Sequence, residues 1–108
     1  MTLAASTRLA TQLRSIEDEL ATSVNRSSPQ ALDSVASAMT ALRTSLAQVK
    51  DAIDEEEDGR VRQTIILELE QAAMCGRRAS ADSGSDRGQY ITNMIAHVHA
   101  AYTVLAIA

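Results

Sequence analysis

Residues 28–53 read SPQALDSVASAMTALRTSLAQVKDAI. Leu32, Val35, Met39, Leu42, Leu46, Val49 and Ile53 recur at alternating spacings of three and four, and every one is apolar. That period belongs to one face of an α-helix and not to a strand, whose side chains alternate every second residue. Ser28 is a suitable N-cap. Pro29 suits the first helical position, where a missing N–H costs nothing.

With Leu32 at heptad position a, Ala31, Ala38, Ser45 and Ala52 fall at g, and Ala36, Arg43 and Lys50 at e. A two-stranded coiled coil more often carries long charged residues on both flanks. The small g flank leaves room for a second neighbour, so the seam predicts the central strut of a bundle.

The flanking segments repeat the helical period. Leu9, Leu13, Ile16 and Leu20 form one stripe of a helix over 6–24, with Asn25 as a left-handed C-cap. Helix two is assigned to 29–55. Asp54, Glu55, Glu56, Glu57 and Asp58 follow; acids oppose the dipole at a helix C-terminus, so Asp58 is assigned as N-cap of the next helix. That third helix, 59–78, places Val61, Ile65, Ile66, Leu69, Ala72 and Ala73 on its main face. Leu67 and Met74 stand opposite, seven residues apart.

Residues 79–86 are a loop by composition, and Asp86 with Gln89 reads as a capping box. A fourth helix over 87–105 carries Ile91, Met94, Ile95, Val98, Tyr102 and Leu105 on one side. Ala96, Ala100, Val104 and Ile107 lie on the other. The expected fold is therefore all-α: a single domain over residues 1–108, built as a four-helix up-down bundle. Its alternative is a dimer in which helix two or helix four completes a shared core.

The 108 residues suffice for one core and no second. The chain has no Phe or Trp, so Leu, Ile, Val, Met and Ala must fill it. A net charge of −4 argues against nucleic acid as a bulk electrostatic partner. Cys75 is the single cysteine, which excludes an internal disulfide and fits a reducing compartment. With no apolar run like that of a signal peptide near the start, the expected location is the cytoplasm. Tyr90–Ala108 contains no Asp, Glu, Lys or Arg, but Asn93, His97 and His99 interrupt it. It reads as a buried helix or one shared across a subunit interface, with no membrane partner expected.

No cofactor is expected. His97 and His99, two residues apart, point about 160° away from each other on a helix. A helical zinc pair needs a spacing of four and a third ligand. The acidic run fails as an EF-hand: counted from Asp54, Gly59 is sixth, but Ile65 stands where a Glu must be twelfth. No Glu precedes either His by three residues, as a di-iron bundle requires. Gly84 and Gly88 have neither the following Lys nor the preceding strand of a phosphate loop. Residues 77–80, RRAS, match a basophilic kinase site, a pattern short enough to arise by chance.

Three functions are compatible with such a chain. The first is a non-enzymatic interaction module of adaptor, chaperone-like or regulatory kind, expected to form a homodimer through surplus apolar residues Leu67, Met74, Val104 and Ile107. The second is an acidic inhibitor or immunity-type protein that masks a basic partner with Asp54, Glu55, Glu56, Glu57 and Asp58. The third is a metal or thiol site at His97, His99 or Cys75, against which the histidine spacing already argues.

Overall fold

The computed structural model describes residues 3–24, 28–53, 59–81 and 86–107, with side chains from residue 7 in the first helix and residue 30 in the second. Four α-helices follow in order: α1 Leu3–Ser23, α2 Ser28–Ala52, α3 Gly59–Ala81 and α4 Arg87–Ile107. Each packs on the next, and α4 closes the ring on α1, while the diagonal pairs make little contact. The molecule measures 44 × 20 × 19 Å. A helix the length of α2 accounts for about 37 Å of the long axis at 1.5 Å per residue, so the helices run along it.

Cross-helix contacts establish the antiparallel sense. Arg87 Nε donates to the Ala79 carbonyl (3.0 Å), and ten residues further along α4 His97 meets Glu68, earlier in α3. On the other side of α4, His99 meets Glu17, and Tyr102 lies under the Arg14 guanidinium at 5.7 Å. In both pairings one residue number rises as the other falls. The up-down bundle expected from the sequence is the fold.

Several helix boundaries differ from expectation. α3 continues through Ala79, Ser80 and Ala81 instead of stopping at 78. Ala79 is buried, and Arg87 satisfies its otherwise orphaned carbonyl, so packing and a cap sustain residues that composition alone assigns to a loop. α2 stops at Ala52 instead of 55. α1 begins at Leu3 and α4 ends at Ile107, a few residues beyond the expected limits. The capping box at α4 does not form. Gln89 Nε2 donates forward to Asn93 Oδ1 (3.0 Å), while the Asp86 carbonyl accepts the Tyr90 N–H. The assigned caps Asn25 and Asp58 and the Ser28 side chain lie outside the described residues.

The core lines the bundle axis. α1 contributes its whole predicted stripe, Leu9, Leu13, Ile16 and Leu20. α3 contributes Ile65, Leu69, Ala72, Cys75, Gly76 and Ala79, and α4 contributes Ile91, Met94, Val98, Ala101 and Leu105. Both faces are turned from the predicted stripes toward smaller residues. Val61, Ile66 and Ala73 of α3 and Ile95 and Tyr102 of α4 are only partly buried.

The seam of α2 is turned in the same way. Its d residues Val35, Leu42 and Val49 are buried, and so are all four g residues, Ala31, Ala38, Ser45 and Ala52. Of the a residues, Ile53 is buried, whereas Leu32, Met39 and Leu46 are half-exposed. The small flank thus serves the purpose expected of it and admits a second neighbour. Position f marks that side, because Ser37 Oγ donates to Glu19 Oε2 of α1 (3.4 Å). The a positions face α3, and α2–α3 is the least extensive of the four pairings.

Ser45 is fully buried (0 % exposed), and its Oγ has no hydrogen-bond partner among the described residues. A buried unpaired hydroxyl costs about 1–3 kcal/mol, and Ala is the better helix former. Ser45→Ala is therefore expected to stabilise the fold by about 1 kcal/mol, read as a higher denaturant midpoint at unchanged m. A lower midpoint would show that the hydroxyl is satisfied in solution.

Candidate docking groove

The loose contact between α2 and α3 leaves a groove. Its deeper part, ≈ 330 Å³, is lined by Met39, Leu42 and Leu46 of α2 and by Ala73 and Met74 of α3. Arg43, Glu70, Gln71 and Arg77 complete the wall. A shallower part continues toward the C-terminal end of α3, past Ala36, Thr40, Ser80 and Ala81. Met39, Arg43 and Arg77 line both parts, so the groove is continuous.

Its existence follows from side-chain size. α3 offers Ala72, Ala73 and Gly76 where a bundle helix would ordinarily present Leu or Ile. Gly76 is buried, and a Cβ there would overlap the Met39 sulfur and lie 2.9 Å from Met94 Cε. Met39 therefore lies across α3 at the glycine, where its flexible side chain takes the space a Cβ would need. Nothing in the heptad pattern marked Gly76. The available signal was a glycine inside an otherwise helical run, where it costs about 1 kcal/mol relative to Ala and calls for a packing reason.

The groove is apolar at its centre and charged at its rim. Arg43 and Arg77 approach it from opposite helices, and Glu70 lies two turns before Arg77 on α3. None of the three makes an ion pair or side-chain hydrogen bond among the described residues. Met74 (36 % exposed) forms part of the lip, and Leu67 (50 % exposed) stands on the outer face of the same helix.

The four apolar residues proposed from sequence as a contact surface do not lie together. Met74 borders the groove, with Leu67 two turns before it. Val104 is half-buried against the core, because it flanks Ala101 and Leu105 on the inner side of α4. Ile107 (81 % exposed) ends α4, a helix that does not line the groove. The acidic residues Asp54, Glu55, Glu56, Glu57 and Asp58 lie outside the described residues.

The candidate chemical residues occupy three separate places. His97 Nδ1 donates to Glu68 Oε2 of α3 (2.8 Å), and His99 Nδ1 donates to Glu17 Oε1 of α1 (3.0 Å). A carboxylate only accepts, so each bond places the ring proton on Nδ1. The spacing of two that separates the histidines on the helix sends them to the two different neighbours of α4. Each crosses an interhelix boundary at partial exposure, where such a pair contributes under about 1 kcal/mol. Cys75 is buried among core residues, without a disulfide partner. Among the described residues, no group of three or more His, Cys, Asp or Glu is placed to hold a metal ion. No helix of the described residues is long and apolar enough to cross a membrane.

No protein-family model matches this chain, and no curated protein or solved structure matches it either.

Proposed function

We propose that this chain is a non-enzymatic helical interaction module that associates with a second copy of itself through the α2–α3 groove. The observation that carries the proposal is the groove itself: an apolar floor of Met39, Leu42 and Leu46, with half-exposed Met74 on its lip. Isolated exposed apolar residues are ordinary on any surface, and Val24 and Ile107 need no other explanation. Met74 differs because it continues an apolar depression, the form that contact sites take. Two-fold dimers are the commonest closed assembly, and they need one patch only. An adaptor, chaperone-like or regulatory part would follow from what such a dimer presents on its remaining faces.

Sedimentation over about a hundredfold range of concentration tests this, because a self-associating chain changes its mean mass by mass action. The expected result is a monomer–dimer transition. Met74→Glu, on the exposed lip of the groove, is expected to leave helicity and melting of the monomer unchanged and to weaken association by about tenfold or more, since it introduces two charges into an apolar centre. A native chain that stays monomeric throughout, or a Met74→Glu chain that associates as well as the native one, would rule this surface out.

A further inference from the structure

The charges on the groove's lip are arranged so that the patch complements itself, and this selects one geometry for the partner. Glu70, Met74 and Arg77 follow one another at i, i+4 and i+7 along α3. Seven residues are two turns less about 20°, so Glu70 and Arg77 lie almost in line, about 10 Å apart along the axis, with Met74 between them. The stripe therefore reads acid, apolar, base. A two-fold axis perpendicular to it exchanges the ends and sets acid against base twice, with the two methionines at the centre. On the α3 stripe alone, a partner of one charge sign would gain from one end and be repelled by the other.

We infer that two copies associate with their α3 helices antiparallel about a two-fold axis near Ala73–Met74, so that Glu70 of each copy meets Arg77 of the other. The register rests on the self-association proposed above and adds its geometry. Arg43 strengthens it: it stands across the groove from Arg77, lines the same two cavities, and makes no ion pair within the chain among the described residues. Each incoming Glu70 thus enters between two arginines from different helices. Met74 of each copy is delivered onto the other's groove, whose floor is Met39, Leu42 and Leu46. Opposed charges at a partly exposed interface act chiefly on register and partner choice, and like charges in their place are strongly unfavourable.

Charge exchange tests the register. Glu70→Arg alone sets two guanidinium groups against each other at both crossed contacts, and Arg77→Glu alone sets two carboxylates against each other there. Each variant is expected to associate about ten- to a hundredfold more weakly than the native chain, with unchanged helicity, because both side chains are exposed. An equimolar mixture of the two variants is expected to recover dimers, since one crossed contact then joins two native-signed partners and the other two reversed ones, each opposite in sign. The double variant Glu70→Arg/Arg77→Glu is expected to recover them less completely than the mixture, because the guanidinium placed at position 70 then faces Arg43 in both contacts and not in one. Native dimers should weaken as salt is raised, and the mixed dimers likewise. If the single reversals associate like the native chain while Met74→Glu does not, the register is wrong and the groove proposal stands. If the mixture stays monomeric although each variant is folded, the two-fold pairing is wrong. A native chain that never associates overturns both.

Discussion

Leu42→Ala is expected to destabilise the fold by about 3–4 kcal/mol, whereas Leu46→Ala, one turn further along the same helix, is expected to cost about 1 kcal/mol. Both leucines belong to the heptad seam, and the sequence alone treats them as equivalent. Leu42 is fully buried at a d position, so its truncation leaves a cavity that its neighbours cannot fill. Leu46 is half-exposed at an a position that opens into the α2–α3 groove, so water or a shift of Met39 takes up the space.

The difference matters because a domain of this size has a total stability of about 5–15 kcal/mol, and this core has no aromatic ring larger than tyrosine to compensate. Comparing the two in the Met74→Glu background separates folding from association, since a second copy seated on the groove would bury exposed parts of Leu46 and add little to Leu42, which is already buried in the single chain. Denaturant midpoints at constant m give the two costs. Equal costs would mean that the seam faces the core squarely and that the groove is closed in solution.

Gly76→Leu is expected to cost about 3 kcal/mol or more, with Gly76→Ala staying within about 1 kcal/mol of the native chain. The glycine is buried where three helices meet. A β-carbon there overlaps the Met39 sulfur, and lies 3.2 Å from Met39 Cγ and 2.9 Å from Met94 Cε. For alanine, the gain in helix propensity is set against small movements of two flexible thioether chains, and the two effects nearly cancel. Leucine adds three more carbons in a place bounded by Met94, which is fully buried, so α2 or α4 must move bodily. Met39→Ala is expected to relieve part of the Gly76→Leu cost, because Met39 is the nearer obstacle and has solvent on one side. A Gly76→Leu chain with native stability would show that α2 and α3 are further apart than the packing of Met39 on Gly76 requires.

The two pairs of substitutions locate the same thing from opposite directions. Leu42 and Leu46 measure which way α2 faces, and Gly76 measures how closely α3 approaches it. The proposed contact surface depends on both, since the groove is the space that remains when a rotated seam meets a helix of small residues.

The number, order and approximate limits of the helices were legible along the chain. Alternating spacings of three and four impose a helical face wherever they persist, and the α1 stripe Leu9–Leu13–Ile16–Leu20 is buried as its period requires. The small g flank of α2 likewise announced a bundle, because alanine and serine let a second helix approach closely there. The placement of His97 and His99 on different sides of α4 followed from their spacing alone.

The rotation of each helix and the gaps between helices were not legible, because they depend on contacts between distant segments. Hydrophobic period defines an apolar arc, and packing against two unequal neighbours chooses which part of that arc is fully covered. For α2, α1 took the g side, and α3, made narrow by Ala73 and Gly76, left the a side half open. For α3, the extension to Ala81 depended on Arg87, a residue of another helix, reaching back to the Ala79 carbonyl. Leu67, Met74, Val104 and Ile107 looked alike as surplus apolar residues along the chain. Leu67 and Met74 stay nearly in line, as their spacing of seven requires, whereas the placing of Met74 at the groove lip, Val104 against the core and Ile107 at a helix end is set by which neighbour each meets.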